Sequence, residues 1–174
     1  MEGETDITLE EAYRGTTRTI ELSRGGGSRR VEVRIPPGIA DGARVRAAGQ
    51  GAQGSGGGGS GDLFVRVHVL PDHRFRREGS DLHTRVSVPL AVAVAGGSVP
   101  VHSPGGRTVH LTVPAETQNG SRLRLRGLGM PKLRGEGSGD LIAEVDVRLP
   151  KPVPDELRRW ASPDAALPEE NSQT

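Results

Sequence analysis

Two aspartates, Asp62 and Asp140, stand in the same setting, Gly-Ser-Gly-Asp-Leu. A pair of carboxylates is what glycosidic or acid–base chemistry asks for, one group giving a proton and the other taking it or attacking. Each aspartate sits in its own copy of a repeated segment, and equivalent positions in two separate units do not face one scissile bond. The pair is therefore expected to fix two loop-to-strand turns. Pro71-Asp72-His73 offers an Asp–His couple, but no serine, threonine or cysteine in a nucleophile-elbow setting accompanies it. The histidines His68, His73, His83, His102 and His110 never fall at a metal-ligand spacing such as HExxH. The absence of cysteine excludes thiolate zinc sites, disulfides and thiol catalysis. Gly49, Gly51 and Gly54 spell the dinucleotide fingerprint, yet more glycine follows where a helix would have to receive the pyrophosphate. No catalytic residue, no metal ligand set and no cofactor is expected.

Arginine is the remaining chemistry. Arg122, Arg124 and Arg126 alternate with Leu123 and Leu125, and Arg44 and Arg46 echo them. Alternation of this kind is the wet face of a strand. The net charge is only +1 and no aromatic residues interleave to stack bases, so a nucleic-acid surface is disfavoured.

The elements that carry these residues are written twice. Residues 114–147 align without a gap on residues 36–69, an offset of 78 (114 − 36). Pro36 meets Pro114, Arg44 and Arg46 meet Arg122 and Arg124, Gly49 and Gly51 meet Gly127 and Gly129, and Val67 and Val69 meet Val145 and Val147. Upstream, Leu9, Ala12, Gly15 and Ile20 match Leu90, Ala93, Gly96 and Val101 at an offset of 81 (90 − 9). The repeat divides the chain into a first domain over residues 1–72, a second over 73–150, and a short helix with a flexible tail over 151–174. Units of roughly 75 residues bury only about 60% of their unfolded surface. Four aromatic residues in the whole chain leave their cores to Val, Leu and Ile.

In chain order, residues 1–5 read as an acidic lead. Ile7 and Leu9 begin an alternation that turns through LEEAYRG, with Gly15 stopping it. Ile20 and Leu22 share one face of a β-branched strand, and Gly25-Gly26-Gly27 breaks to Val31, Val33 and Ile35. Residues 49–61 read as a mobile glycine-rich loop, Leu63 to Val69 as the strongest strand of the first repeat, and residues 71–79 as a hinge. The second half repeats the order. Prolines 150, 152 and 154 close the sheet region, Asp155 is placed to N-cap a short helix, and residues 162–174 read as a disordered tail. The chain contains no apolar run long enough to span a bilayer and no signal peptide, so a cytoplasmic protein with no membrane partner is expected.

The segments DITLEEAYRGTTRTIEL, VRIPPGIADGARVRAAGQG, GDLFVRVHVLPDHRFRREGSDL and SRLRLRGLGMP come in the order and spacing of one family. Together they resemble the C-terminal substrate-binding region of the DnaJ/CbpA-type J-domain co-chaperones, over residues 6–154. No His-Pro-Asp tripeptide and no four-cysteine repeat occurs, so the likeness is to the zinc-less subclass without its J domain, and Met1 just ahead of the first repeat points to a fragment. The resemblance implies an all-β fold of two tandem β-sandwich-like substrate-binding domains with a short C-terminal helix. It also implies a chaperone module, not an enzyme, that binds unfolded or non-native polypeptides and in a full-length protein delivers them to a DnaK-type ATPase. Carried over residue by residue, the family's peptide pocket falls on Ile7, Leu9, Ile20, Leu22 and Val65, with Arg18 and Arg14 at its basic rim. The short terminal helix implies at most a weak homodimer. A structural or assembly β-protein and a nucleic-acid-binding module are the alternatives: the first would show no affinity for unfolded clients, the second a steeply salt-dependent retention on DNA.

Overall fold

In the computed structural model, residues 1–24, 27–52, 54, 56 and 58–161 are described, with the side chain of Arg24 excepted. The first half comprises β1 (Glu2–Ile7), α1 (Leu9–Arg14), β2 (Thr16–Arg24), β3 (Gly27–Ile35), β4 (Arg44–Ala47) and β5 (Leu63–Val69). The second comprises β6 (Arg76–Glu78), β7 (Asp81–Pro89), α2 (Leu90–Ala95), β8 (Gly97–His102), β9 (Thr108–Val113), β10 (Arg122–Leu125) and β11 (Leu141–Arg148), followed by α3 (Asp155–Trp160). The protein is all-β, with three short helices among the described residues.

The repeat is a repeat of topology. In the first half β5 lies centrally, with β1 parallel on one side and β4 antiparallel on the other, and β2 and β3 form a separate hairpin. In the second, β11 lies between parallel β7 and antiparallel β10, β8 and β9 form the hairpin, and β6 adds a short edge strand to β7. Register is preserved as well: Ile7 pairs with Val69 and Val88 with Val147, which is the same pair carried forward by 81 and 78 positions. The central strands read as alternating Leu and Val because one face of each is fully buried: Leu63, Val65 and Val67, then Leu141, Ala143 and Val145.

Four expectations need correction. Residues 2–5 belong to strand β1, because parallel pairing with β5 gives the backbone of a weak β-former sequence its hydrogen bonds. Leu9 does not continue an alternating strand; it opens α1, where Thr8 accepts from the Glu11 N–H and the Glu11 carboxylate accepts from the Thr8 N–H, a capping box. The supposed hinge contains β6 and the buried Phe75. Asp155 is the first residue of α3, not its cap, which is Pro154 without a side-chain hydrogen bond. The expected break at Gly25 and Gly26, part of the glycine-rich loop (Gln53, Ser55 and Gly57) and the tail over 162–174 lie outside the described residues.

One contiguous apolar cluster runs through both halves, from Ile7, Leu9, Ile35, Ile39 and Val67 to Leu82, Val88, Met130 and Leu141. A smaller one, Val31, Val33, Leu63 and Val65, lies between the β2–β3 hairpin and the first sheet. Polar ties also cross between the halves. Arg77 donates to the carbonyls of Ile39 (2.6 Å) and Gly38 (3.1 Å), and Arg14 donates to the carbonyl of Gly105 (2.9 Å). Gly38, at φ +84°, lies so close to the Pro131 carbonyl that no side chain fits there.

Candidate functional site

The residues singled out from sequence divide between the two clusters. Ile20 and Leu22 are half-buried on β2 and pack, with Val45 and Ala47, against the cluster that holds Val65. Ile7 and Leu9 belong instead to the larger cluster, at 0% and 4% exposure. Ile20 and Val65 meet at Gly3 of β1: a methyl group there would touch both, at 3.9 and 4.0 Å. Among the described residues, the outer edge of β1 has no strand partner, and β2 has none opposite β3. Ile20 thus packs closely beside Gly3, where the lack of a side chain leaves it room. Gly3 was not among the sequence candidates. A glycine marks a close approach of another group only inside a strand, and residues 1–5 read as a lead instead.

The two rim arginines are engaged within the protein. Arg18 pairs with Glu11 at 2.6 Å, while its Nε–H is buried without an acceptor among the described residues. Arg14 pairs with Glu10 at 3.2 Å besides its bond to Gly105. Burial works against ionisation of Glu11, but the Thr8 N–H and the Arg18 guanidinium outweigh it and hold the carboxyl below its ordinary value.

The paired aspartates have equivalent environments. Asp62 accepts from the Gly49 N–H (3.1 Å) and from Arg46 (2.7 Å); Asp140 accepts from the Gly127 N–H (2.9 Å) and from Arg124 (2.6 Å). The backbone N–H is the main cause that lowers each carboxyl below 3.8, with the arginine next. They fix the exits of β4 and β10, as the sequence implied. Asp72 accepts from the backbone N–H groups of Arg74 and Phe75, so its carboxylate closes a turn. No group of three or more potential metal ligands occurs among the described residues.

A concavity that none of the expected pocket residues line lies in the second half. It encloses about 950 Å³ between β7, β8, α2 and the segment 72–76. By the offset of 81, β7 and β8, which border it, are the counterparts of β1 and β2. The concavity was not among the sequence candidates, because periodicity shows which residues face out but not which faces form a groove.

No described helix is long and apolar enough to cross a membrane. Residues 1–150 match the family described as DnaJ C terminal domain. The chain is 43% identical over 145 residues to chaperone protein DnaJ 1 of Corynebacterium diphtheriae, covering 79% of this chain and 39% of that protein. It is 42% identical over 159 residues to chaperone protein DnaJ of Deinococcus proteolyticus (91% and 47%), and 44% identical over 128 residues to that of Burkholderia pseudomallei (74% and 34%). The chain thus spans less than half the length of these relatives. The match over residues 1–150, with the duplicated topology, places the chain in the DnaJ C-terminal domain family.

Proposed function

We propose that the chain is the client-binding region of a cytoplasmic co-chaperone, and that it takes up extended, apolar segments of unfolded polypeptide for delivery to a DnaK-type ATPase. In this reading residues 1–72 and 73–150 are two domains, and residues 151–174 are an appendage. The observation that carries it is the half-buried pair Ile20 and Leu22 on β2, whose edge opposite β3 has no strand partner among the described residues. A strand edge beside an aliphatic floor accepts an extended peptide as an added strand: main-chain hydrogen bonds supply affinity, and the floor selects aliphatic side chains. Val65 underlies this floor, Ile7 and Leu9 support it from the neighbouring core, and Arg18 and Arg14 lie toward the α1 end. Each covered aliphatic group contributes about 1–2 kcal/mol. After ordering costs, affinities in the micromolar range are expected. Homodimerisation is weak at best in this reading, because α3, with 6 residues, offers little area for an interface that needs about 1,000 Å².

Ile20→Asp tests the site. It places a charge on a partly accessible apolar surface, so binding of a labelled aliphatic peptide, read by fluorescence anisotropy, should weaken about tenfold or more, while the thermal melt stays close to that of the parent. A variant that remains folded and binds as well as the parent removes Ile20 from the site. One that unfolds shows Ile20 to be closed core, at a cost of several kcal/mol.

A further inference from the structure

The groove of the second half lies between β7 and β8, the counterparts of β1 and β2, yet the charged residues at equivalent positions differ in sign. Outward positions Glu2 and Glu4 of β1 correspond, 81 residues on, to His83 and Arg85 of β7, and Glu21 of β2 corresponds to His102 of β8. In the first half these acids are neutralised internally: Glu2 pairs with Arg44, Glu4 with His68 at 3.7 Å, and Glu21 with Arg30 at 2.9 Å. In the second half His83 lies 3.1 Å from Glu78 and Arg74 lies 3.6 Å from Asp72, while two arginines stay available. Arg76 and Arg85 both line the groove and have no ion-pair partner among the described residues. Arg74, His73 and His102 line it too. Of its two acids, Asp72 is occupied by the Arg74 and Phe75 N–H groups, which leaves Glu144, the register partner of Arg85.

Beneath the charges the floor is apolar. Val86, Val99 and Val101 are all buried and line the groove. Backbone groups are available alongside. β6 pairs with β7 only from Asp81 to His83, so among the described residues the rest of that edge has no strand partner, and the edge of β8 away from β9 has none. An extended chain that alternates side chains can lay aliphatic groups on the valines and present carboxylates to the guanidiniums.

We propose that this groove is a second, chemically distinct peptide site that selects extended segments alternating carboxylate and aliphatic side chains. The two halves then divide polypeptide by charge: the first-half site takes neutral aliphatic stretches and the second takes acidic ones that the first leaves unbound.

The test uses the full chain, a labelled peptide alternating Glu or Asp with Val, its Lys-for-acid counterpart, and a neutral aliphatic peptide. Arg76→Glu with Arg85→Glu should weaken binding of the acidic peptide at least about tenfold while the neutral peptide is held within about twofold. Because both arginines are exposed, the variant should melt with the parent; should it not, Arg76→Ala with Arg85→Ala gives the same comparison with milder changes. Ile20→Asp should leave the acidic peptide unaffected, which separates this site from the first-half site even if that reading fails. The proposal is overturned if the parent binds the acidic and Lys peptides equally, if the arginine variants bind the acidic peptide as the parent does, or if a single-stranded oligonucleotide displaces the peptide in its place.

Discussion

Asp62 and Asp140 are single residues that each hold a loop closed, and the chemistry of their bonds predicts how the protein responds to acid. Both carboxyls lie below their ordinary value of 3.8 because first the Gly49 or Gly127 N–H, then Arg46 or Arg124, favours the charged form. A carboxyl depressed in the folded state contributes stability that is fully present above its unfolded value and is lost as pH falls through the folded value. Asp62→Asn with Asp140→Asn should therefore lower the melting temperature at neutral pH. The difference from the parent should shrink as the pH falls below about 4 and the parent's carboxylates take up protons. Melts followed by circular dichroism across that range test it, and a constant difference would show that charge plays no part. The pairing of these aspartates was legible because the repeat set them in identical surroundings. The partition of Ile7 and Leu9 from Ile20 and Leu22 was not, since alternation marks an inward face without saying which of two clusters it enters.

At the scale of elements, the two short helices show that one backbone can be held by different means. α1 carries a capping box between Thr8 and Glu11, whereas α2, LAVAVA, has Pro89 as its cap and no side-chain hydrogen bond there. With six residues, neither is long enough to persist alone. α2 is held by the burial of Ala93, while α1 buries Leu9 and Ala12 and adds the box. Thr8→Ala should cost about 1 kcal/mol and lower the melting temperature by about 2–4 °C. Glu11 also anchors Arg18, so losing the box should loosen that pair, visible as faster exchange of the amides of α1. An unchanged melt would mean that burial alone holds the helix. The box was present in the sequence as Thr-x-x-Glu, and the expectation of an alternating strand through Leu9 hid it. Strand β1 was obscured for a different reason: Glu-Gly-Glu-Thr-Asp has little intrinsic β preference, and only the partner strand β5 makes it extended.

Over the whole molecule, the duplication plain in the sequence does not produce two independent cores. Leu141 and Met130 of the second half share a cluster with Ile7, Ile39 and Val67 of the first, and Arg77 spans the junction with bonds to the Gly38 and Ile39 carbonyls. No periodicity reveals such sharing, because a buried strand face looks the same whichever half covers it. Burial pushes the Arg77 guanidinium below its usual value, with Asp41 opposing the shift, as befits a charge placed at an internal seam. Units this small are marginal alone, so a joint core makes each half depend on the other. Leu141→Ala, at a fully buried position of the central strand β11, should cost about 2–5 kcal/mol. If the halves form one cooperative unit, that loss is felt across the chain: amides of β5 should lose protection from hydrogen exchange together with those of β11, and the melt should remain a single transition at lower temperature. Protection lost from β11 while β5 keeps that of the parent would show that the two halves open separately, and that the shared cluster is a contact between two cores, not one core.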